Sequence, residues 1–157
     1  MSKIVLFLVL TIMTAICAAQ TVSLSVTDTT GTTTAEIRRV PSSLLMQLTL
    51  FWTSTADGAA VAVLPLIVGE VLRVVTIPGT ASGPTDNYDV TWTDQDGIDL
   101  LAGLGADRDE TNAEQIVPLI GAGSITVVPP ALFGTSTLNV SAAGNATTGT
   151  LRIYLRR

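Results

Sequence analysis

The sequence predicts an all-β fold, an antiparallel two-sheet sandwich, on three observations. Apolar residues make up 47% of the chain and charged residues only 13%, and Thr, Ser and Gly supply most of the remaining polarity. This composition favours pleated sheet over helix, because Thr is β-branched while the good helix formers Lys, Glu and Gln are scarce. Short runs alternate apolar and polar residues, and turn residues separate them at short intervals. We expect jelly-roll topology first and an immunoglobulin-like sandwich second.

The length of 157 residues predicts one domain after an apolar leader. Residues 1–19 contain one Lys, an apolar run from Ile4 to Ala15 and the small pair Ala18-Ala19, the pattern of a secretory signal peptide. The run is shorter than the roughly 20 residues that a membrane span needs. The alternatives are cleavage after Ala19 and an uncleaved amino-terminal arm. Residues 20–157 then form the sandwich domain, with no membrane segment in the mature form.

Five strands are predicted in the first half of the chain: Gln20 to Thr27, a short strand around Ala35 and Ile37, Ser43 to Thr53, Ala59 to Leu64, and Val71 to Ile77. Pro65 is expected to end the fourth strand, since proline cannot donate to a central ladder. A new strand is expected after Gly69. The strand Ser43 to Thr53 carries apolar residues on both faces, which predicts a central position or contact with a neighbouring subunit.

The clearest structural signal in the second half is a β-hairpin over Asn87 to Leu101. Val90 and Trp92 alternate with polar residues, and Asp94-Gln95-Asp96-Gly97 provides the turn. The Gly-rich segment Ala102 to Ala113 is then expected to be a loop that stands clear of the sheet. Further strands are predicted at Glu114 to Ile120, Ser124 to Val128, Thr137 to Ser141 and Leu151 to Leu155.

Composition also excludes several functions. The chain contains no His, which removes the most common general base, the Ser-His-Asp and Cys-His arrangements and most zinc sites. The net charge of −5 and the eight dispersed basic residues argue against nucleic-acid binding. We therefore expect a protein that is not an enzyme, has no organic cofactor and binds no nucleic acid.

Nine of the thirteen acidic residues lie between Asp86 and Glu114. Asp94, Asp96 and Asp99 place three carboxylates close together around Gly97, and hard cations such as calcium prefer oxygen ligands. The alternative is a turn, because Asp tolerates turn geometry and glycine supplies positive φ. Calcium is thus the one cofactor that the sequence suggests.

Candidate contact residues come from two strands. Leu45 and Phe51 lie on the second apolar face of the strand Ser43 to Thr53, where they would anchor a subunit contact. Arg152, Arg156 and Arg157 belong to the last predicted strand and are expected either to pair with acidic groups of the loop Ala102 to Ala113 or to form a solvated strand edge. A homo-oligomer is expected, and three-fold symmetry would bury the same patch in each copy.

The run TDNYDVTWTDQDGIDLLAGLGADRDETNAEQIVPLI, with the closing strand TGTLRIYLRR, resembles segments of small virion proteins of tailed bacteriophages. The likeness covers about Thr85 to Arg157. It implies a β-sandwich subunit that decorates or cements a capsid or forms a head fibre. The implied location is the virion, and the implied partner is the major capsid protein or another virion protein.

The leader supports a second hypothesis, a secreted or cell-surface sandwich that forms a filament or adhesive layer. In that case residues 1–19 are removed, and the segment Gln20 to Asp28 is a candidate donor strand for a neighbouring subunit.

Overall fold

The computed structural model describes residues 20–24, 27–39, 44–122 and 126–157. In these residues the structure is all-β, with every strand pair antiparallel, and the predicted fold class is confirmed. The strands are β1 (Gln20–Leu24), β2 (Thr27–Thr30), β3 (Thr32–Arg39), β4 (Leu45–Thr53), β5 (Ala60–Pro78), β6 (Asp89–Asp94), β7 (Glu114–Ile116), β8 (Ile120–Ala122), β9 (Thr126–Val128), β10 (Ala131–Ser141) and β11 (Thr148–Arg156). The predicted leader, residues 1–19, lies outside the described residues. No helix in the described part of the chain could span a membrane.

The long strand β5 belongs to both layers of the sandwich. Its second half pairs with β11 and β7, and β11 continues through β4 and β3 to β1. Its first half pairs with β10 and β2, and β10 continues to β6. β8 and β9 form a separate two-stranded sheet. The chain thus changes layers by bending within one strand.

Two β-bulges explain how β5 keeps apolar residues inward in both layers. The pairing with β10 slips between Leu64 and Ile67, and the pairing with β11 slips between Val71 and Arg73. Each slip adds one residue to β5, which moves the buried set from even to odd positions and then back to even. The sequence predicts that Val71, Arg73, Val75 and Ile77 share one face. The structure keeps Arg73, Val75 and Ile77 on the outward face but buries Val71, because the second bulge lies between Val71 and Arg73.

The predicted strand end at Pro65 is also wrong, because β5 runs through this residue without a break. Pro65 lies in the first bulge, where the ladder with β10 is already interrupted and a missing N–H group costs little. Gly69 lies inside the strand and does not start a new one. A Cβ atom at Gly69 would lie 2.8 Å from the carbonyl oxygen of Arg156, so a larger residue would push β11 away.

The core lies between the two layers. Met46, Leu48, Leu50 and Trp52 of β4 are buried as the alternation predicts, whereas Leu44 is 67% exposed because it precedes the strand. Trp52 packs against Tyr88 with ring centroids 5.9 Å apart, which joins the β4 layer to the segment that leads into β6. This packing fixes the two layers relative to each other.

The segment after the predicted hairpin follows the outer edge of β6. Thr93 bridges to Asp99, so the chain reverses as predicted, but the returning residues form turns and not a second strand. The N–H group of Val90 donates to the carbonyl oxygen of Gly105, and that of Arg108 donates to the carbonyl oxygen of Tyr88, each at 2.8 Å. The expectation that Ala102 to Ala113 stands clear of the sheet is wrong, since β6 ends the sheet and its free backbone groups need partners.

The predicted donor segment is already used within the chain. Gln20–Leu24 pairs with β3 in the register Gln20↔Arg39 to Leu24↔Ala35, and Thr27–Thr30 pairs with β5. The described parts of Gln20 to Asp28 are therefore strands of this subunit, which removes the free donor strand from the second hypothesis.

Candidate functional site

The structure places four of the five predicted contact residues on one face of the β4 and β11 pair. Leu45 lies directly opposite Arg156, Phe51 lies opposite Thr150, and Arg152 lies opposite Thr49. Residues directly opposite each other in an antiparallel pair project from the same side of the sheet. Leu45 is 50% exposed and Phe51 is 44% exposed, whereas Met46, Leu48 and Leu50, which point to the other side of the strand, are buried. The fifth residue, Arg157, follows the strand, and its N–H group donates to the carbonyl oxygen of Leu44 at 2.9 Å.

We call this surface the β4–β11 face. It includes the outward residues of both strands and the outward residues that the second half of β5 adds through its pairing with β11. Its members are Leu45, Gln47, Thr49, Phe51, Thr53, Thr148, Thr150, Arg152, Tyr154, Arg156, Glu70, Arg73, Val75 and Ile77. Since β11 is hydrogen-bonded on both sides, to β4 and to β5, the face has a rigid backbone.

Two shallow depressions shape the face. One, of about 340 Å³, lies between Leu45, Leu72 and Tyr154. Beside it, the guanidinium carbon of Arg73 lies 4.2 Å from the centre of the Tyr154 ring. This cation–π contact holds the two side chains against each other. The other, of about 370 Å³, lies beside Phe51. The face thus has two apolar depressions, and Arg152 lies between them on β11.

Arg156 forms an ion pair with Glu70 of β5, in which its Nε donates to Oε2 at 2.7 Å. The expectation that this arginine pairs with the acidic loop is wrong. Both side chains are about half exposed, so the pair adds at most about 1 kcal/mol to stability. Its effect is to hold the Arg156 guanidinium at the border of the face. The only arginine of the loop itself, Arg108, pairs instead with Glu114 at 3.4 Å.

Two of the three predicted calcium ligands, Asp94 and Asp99, accept backbone N–H groups through their carboxylates, and Asp96 contributes its own N–H group. Oδ1 of Asp94 accepts the N–H groups of Asp96 and Ile98 at 3.0 and 2.9 Å. Asp99 accepts the N–H groups of Leu101 and Gly103 at 3.0 and 2.8 Å. In the described ranges no group of three or more His, Cys, Asp or Glu side chains is placed to hold a metal ion. These hydrogen bonds favour the turn alternative, and the calcium site stays a prediction.

Other acidic groups of this region also shape the backbone. Hydrogen bonds from Asn112, through its side chain and its N–H group, and from Thr111 hold the pKa of Asp109 well below its ordinary value. Burial raises the pKa of the Tyr88 hydroxyl, an effect that a hydrogen bond with Thr76 opposes. The carboxylate of Asp109 thus holds the backbone of Thr111 and Asn112 in a turn.

Sequence reasoning missed Arg73 and Tyr154 as members of the face. For Tyr154 a signal was present, because the alternation of the last strand places it on the same face as Arg152 and Arg156. For Arg73 the local alternation gave its face, shared with Val75 and Ile77, but not the pairing with β11 that brings this face beside Tyr154.

Comparisons with known proteins give only a weak likeness. No family model matches the chain, and no curated protein matches it. Similar solved structures include the lectin domain of lectinolysin complexed with Lewis B antigen, which is 10% identical over 68% of this chain and 72% of that chain, with a TM-score of 0.37. The family 32 carbohydrate-binding module from C. perfringens NanJ, in complex with galactose, is 10% identical over 86% of this chain and 99% of that chain, with a TM-score of 0.37.

A bacteriophage structure is also similar. The enzymatically active domain of tailspike protein 4 of bacteriophage CBA120 is 16% identical over 90% of this chain and 20% of that chain, with a TM-score of 0.35. Several of the similar structures are thus carbohydrate-binding β-sandwich modules. At these scores the likeness carries no argument about what this chain does.

Proposed function

We propose that the protein is a non-enzymatic structural subunit of a tailed-bacteriophage virion. In this proposal it decorates or cements the capsid, or forms a head fibre, by docking on the major capsid protein or another virion protein. One observation carries the proposal: Leu45, Phe51, Arg152 and Arg156 share one rigid sheet face although they are far apart in sequence.

The chemistry of the β4–β11 face suits protein contact. Aromatic and arginine side chains are enriched at protein interfaces, where a few buried anchors contribute most of the binding energy. Phe51 and Leu45 provide apolar anchors, and Arg152 provides a charged group that can pair with a carboxylate of the partner. Because the face is held by two ladders, docking orders little backbone, which lowers its entropic cost. A stable contact needs about 800 Å² from each partner.

A second candidate function follows from the apolar run Ile4 to Ala15 and the pair Ala18-Ala19. In this alternative the protein is a secreted or cell-surface subunit of a filament or adhesive layer. Since Gln20–Leu24 already pairs with β3, assembly would not use donation of this strand.

The two proposals are separated by locating the protein in its native source. The virion proposal predicts that the protein co-purifies with density-gradient-banded phage particles. The secreted alternative predicts that it is found outside cells without particles, with an amino terminus at Gln20 by mass spectrometry. The latter result would exclude a virion subunit.

The role of the face is tested by a double variant, Leu45→Lys with Phe51→Lys, added to particles that lack the native protein. We expect binding to fall at least about tenfold, since the two anchors would be replaced by hydrated charges. Leu119→Lys is the matched control, because Leu119 is 45% exposed and lies off the face. Equal binding by the double variant and the control would disprove docking through this face.

A further inference from the structure

A second surface lies where β5 bends from one layer to the other. Glu70 is opposite Ala131 of β10 and Arg156 of β11 at the same time, so three strands meet at this point. Around it lies a groove of about 500 Å³ whose lining includes Val68, Gly69, Phe133 and Arg157. We call it the bend groove.

The bend groove exposes an unusual amount of apolar surface. Phe133 is 68% exposed, and its direct partner across the ladder, Val68, is 39% exposed. Leu66, also in this stretch of β5, is 67% exposed. Clustered exposed apolar side chains beside charged groups are typical of contact surfaces. Gly69 keeps the strands close enough to form the groove, because any side chain there would meet the β11 backbone.

Basic and acidic side chains lie in different regions of the molecule, and Arg157 of the bend groove belongs to the basic region. Among side chains that the structure describes, the cations other than Arg108 all lie on β5 or at the end of the chain: Arg73, Arg152, Arg156 and Arg157. The segment from Asp86 to Glu114 carries nine carboxylates and one arginine. Arg108 is turned inward on that segment, donating to the carbonyl oxygen of Ala106 at 2.7 Å and pairing with Glu114.

The segment from Asp86 to Glu114, which we call the acidic segment, also exposes apolar side chains on a backbone held by hydrogen bonds. Ile98 is 57% exposed and Leu104 is 50% exposed, beside the exposed carboxylates of Asp96, Asp107 and Glu110. Hydrogen bonds to β6 and to its own carboxylates hold its backbone in place. This frame presents Ile98 and Leu104 outward, so covering them requires another molecule.

We propose that the bend groove of one copy receives the acidic segment of a second copy, in a head-to-tail contact. Phe133 and Val68 would pack against Ile98 and Leu104, while Arg157 would face the carboxylates of Asp107 and Glu110. Such a contact uses different patches on the two copies, so it generates a ring or a filament. This inference is independent of the docking partner proposed for the β4–β11 face.

Sedimentation velocity over a concentration series tests this contact. The unaltered protein is expected to self-associate, and more weakly as salt rises, because screening reduces attraction between exposed charges. Arg157→Glu and Glu110→Lys should each weaken the association about tenfold, since each brings like charges together. An equimolar mixture of the two variants should restore association, because the altered bend groove of one variant and the altered acidic segment of the other again carry opposite charges.

Two further variants make the result specific. Arg152→Glu reverses a charge on the β4–β11 face and should leave self-association unchanged, while Phe133→Ser removes an apolar contact of the bend groove and should weaken it. Unchanged thermal melting shows that the variants are folded. The proposal is overturned if the unaltered protein sediments as a monomer throughout, if the mixture fails to associate, or if Arg152→Glu weakens association as strongly as Arg157→Glu.

Discussion

Gly149 provides a quantitative test of the packing between β4 and β11. Gly149 lies opposite Trp52 in the ladder, and the indole ring covers the space where a side chain would be. A Cβ atom built on Gly149 would lie 2.6 Å from Cε2 of Trp52, far inside van der Waals contact. We therefore predict that Gly149→Ala is strongly destabilising, although alanine adds only a methyl group.

The magnitude follows from which atoms can move. The backbone of Gly149 is held between β4 and β5, and Trp52 is 2% exposed and packed against Tyr88. Overpacking a core typically costs about 1–3 kcal/mol, and with both partners fixed we expect about 3 kcal/mol. For a domain of this size that loss lowers Tm by roughly 6–12 °C.

Urea unfolding followed by circular dichroism measures this loss of stability. The control is the same substitution in a Trp52→Leu background, where the smaller side chain leaves room for the new methyl group. There the cost of Gly149→Ala should fall by at least about 1 kcal/mol, the coupling expected between residues in contact. A cost below about 1 kcal/mol in the unaltered background would refute the proposed contact.

Three further predictions concern hydrogen bonds. Asp99→Ala should lower the unfolding free energy by about 1–2 kcal/mol, because turn N–H groups lose their acceptor, whereas Asp96→Ala should change it little; urea titration measures both. Ser136→Ala should cost about 1–3 kcal/mol, since the buried Nε1 of Trp92, now 2.9 Å from the serine hydroxyl, loses its acceptor. Asp109 has a lowered pKa in the folded state, so its contribution is present above the ordinary pKa of 3.8 and is lost as pH falls below it. Asp109→Asn should therefore flatten the acid limb of stability measured by thermal melting from pH 5 to pH 2, and an unchanged limb would contradict this.

The alternation of β4 could be predicted from sequence because it depends only on neighbours in the chain. Trp52 and Phe51 differ by one position, and the period of a strand places them on opposite sides of the sheet. The structure accordingly buries Trp52 and leaves Phe51 44% exposed. Exposure of the candidate contact residues was thus accessible to sequence reasoning.

The course of β5 could not be predicted in this way. Pro65 and Gly69 are strong local signals for the end of a strand, and sequence reasoning followed them. The structure overrides both because β10 and β11 supply ladders that continue past each bulge. The placement of Leu45 opposite Arg156 likewise depends on pairing between distant parts of the chain, which no local pattern specifies.

The bend of β5 also explains why the two proposed surfaces meet. Arg156 lies opposite Leu45 on the β4–β11 face, and its ion pair with Glu70 places it on the wall of the bend groove. A substitution of Arg156 would therefore affect both surfaces and could not assign a binding defect to either. Phe51 and Phe133 each belong to only one surface, so the two phenylalanines are the residues that separate docking on a partner from association between copies.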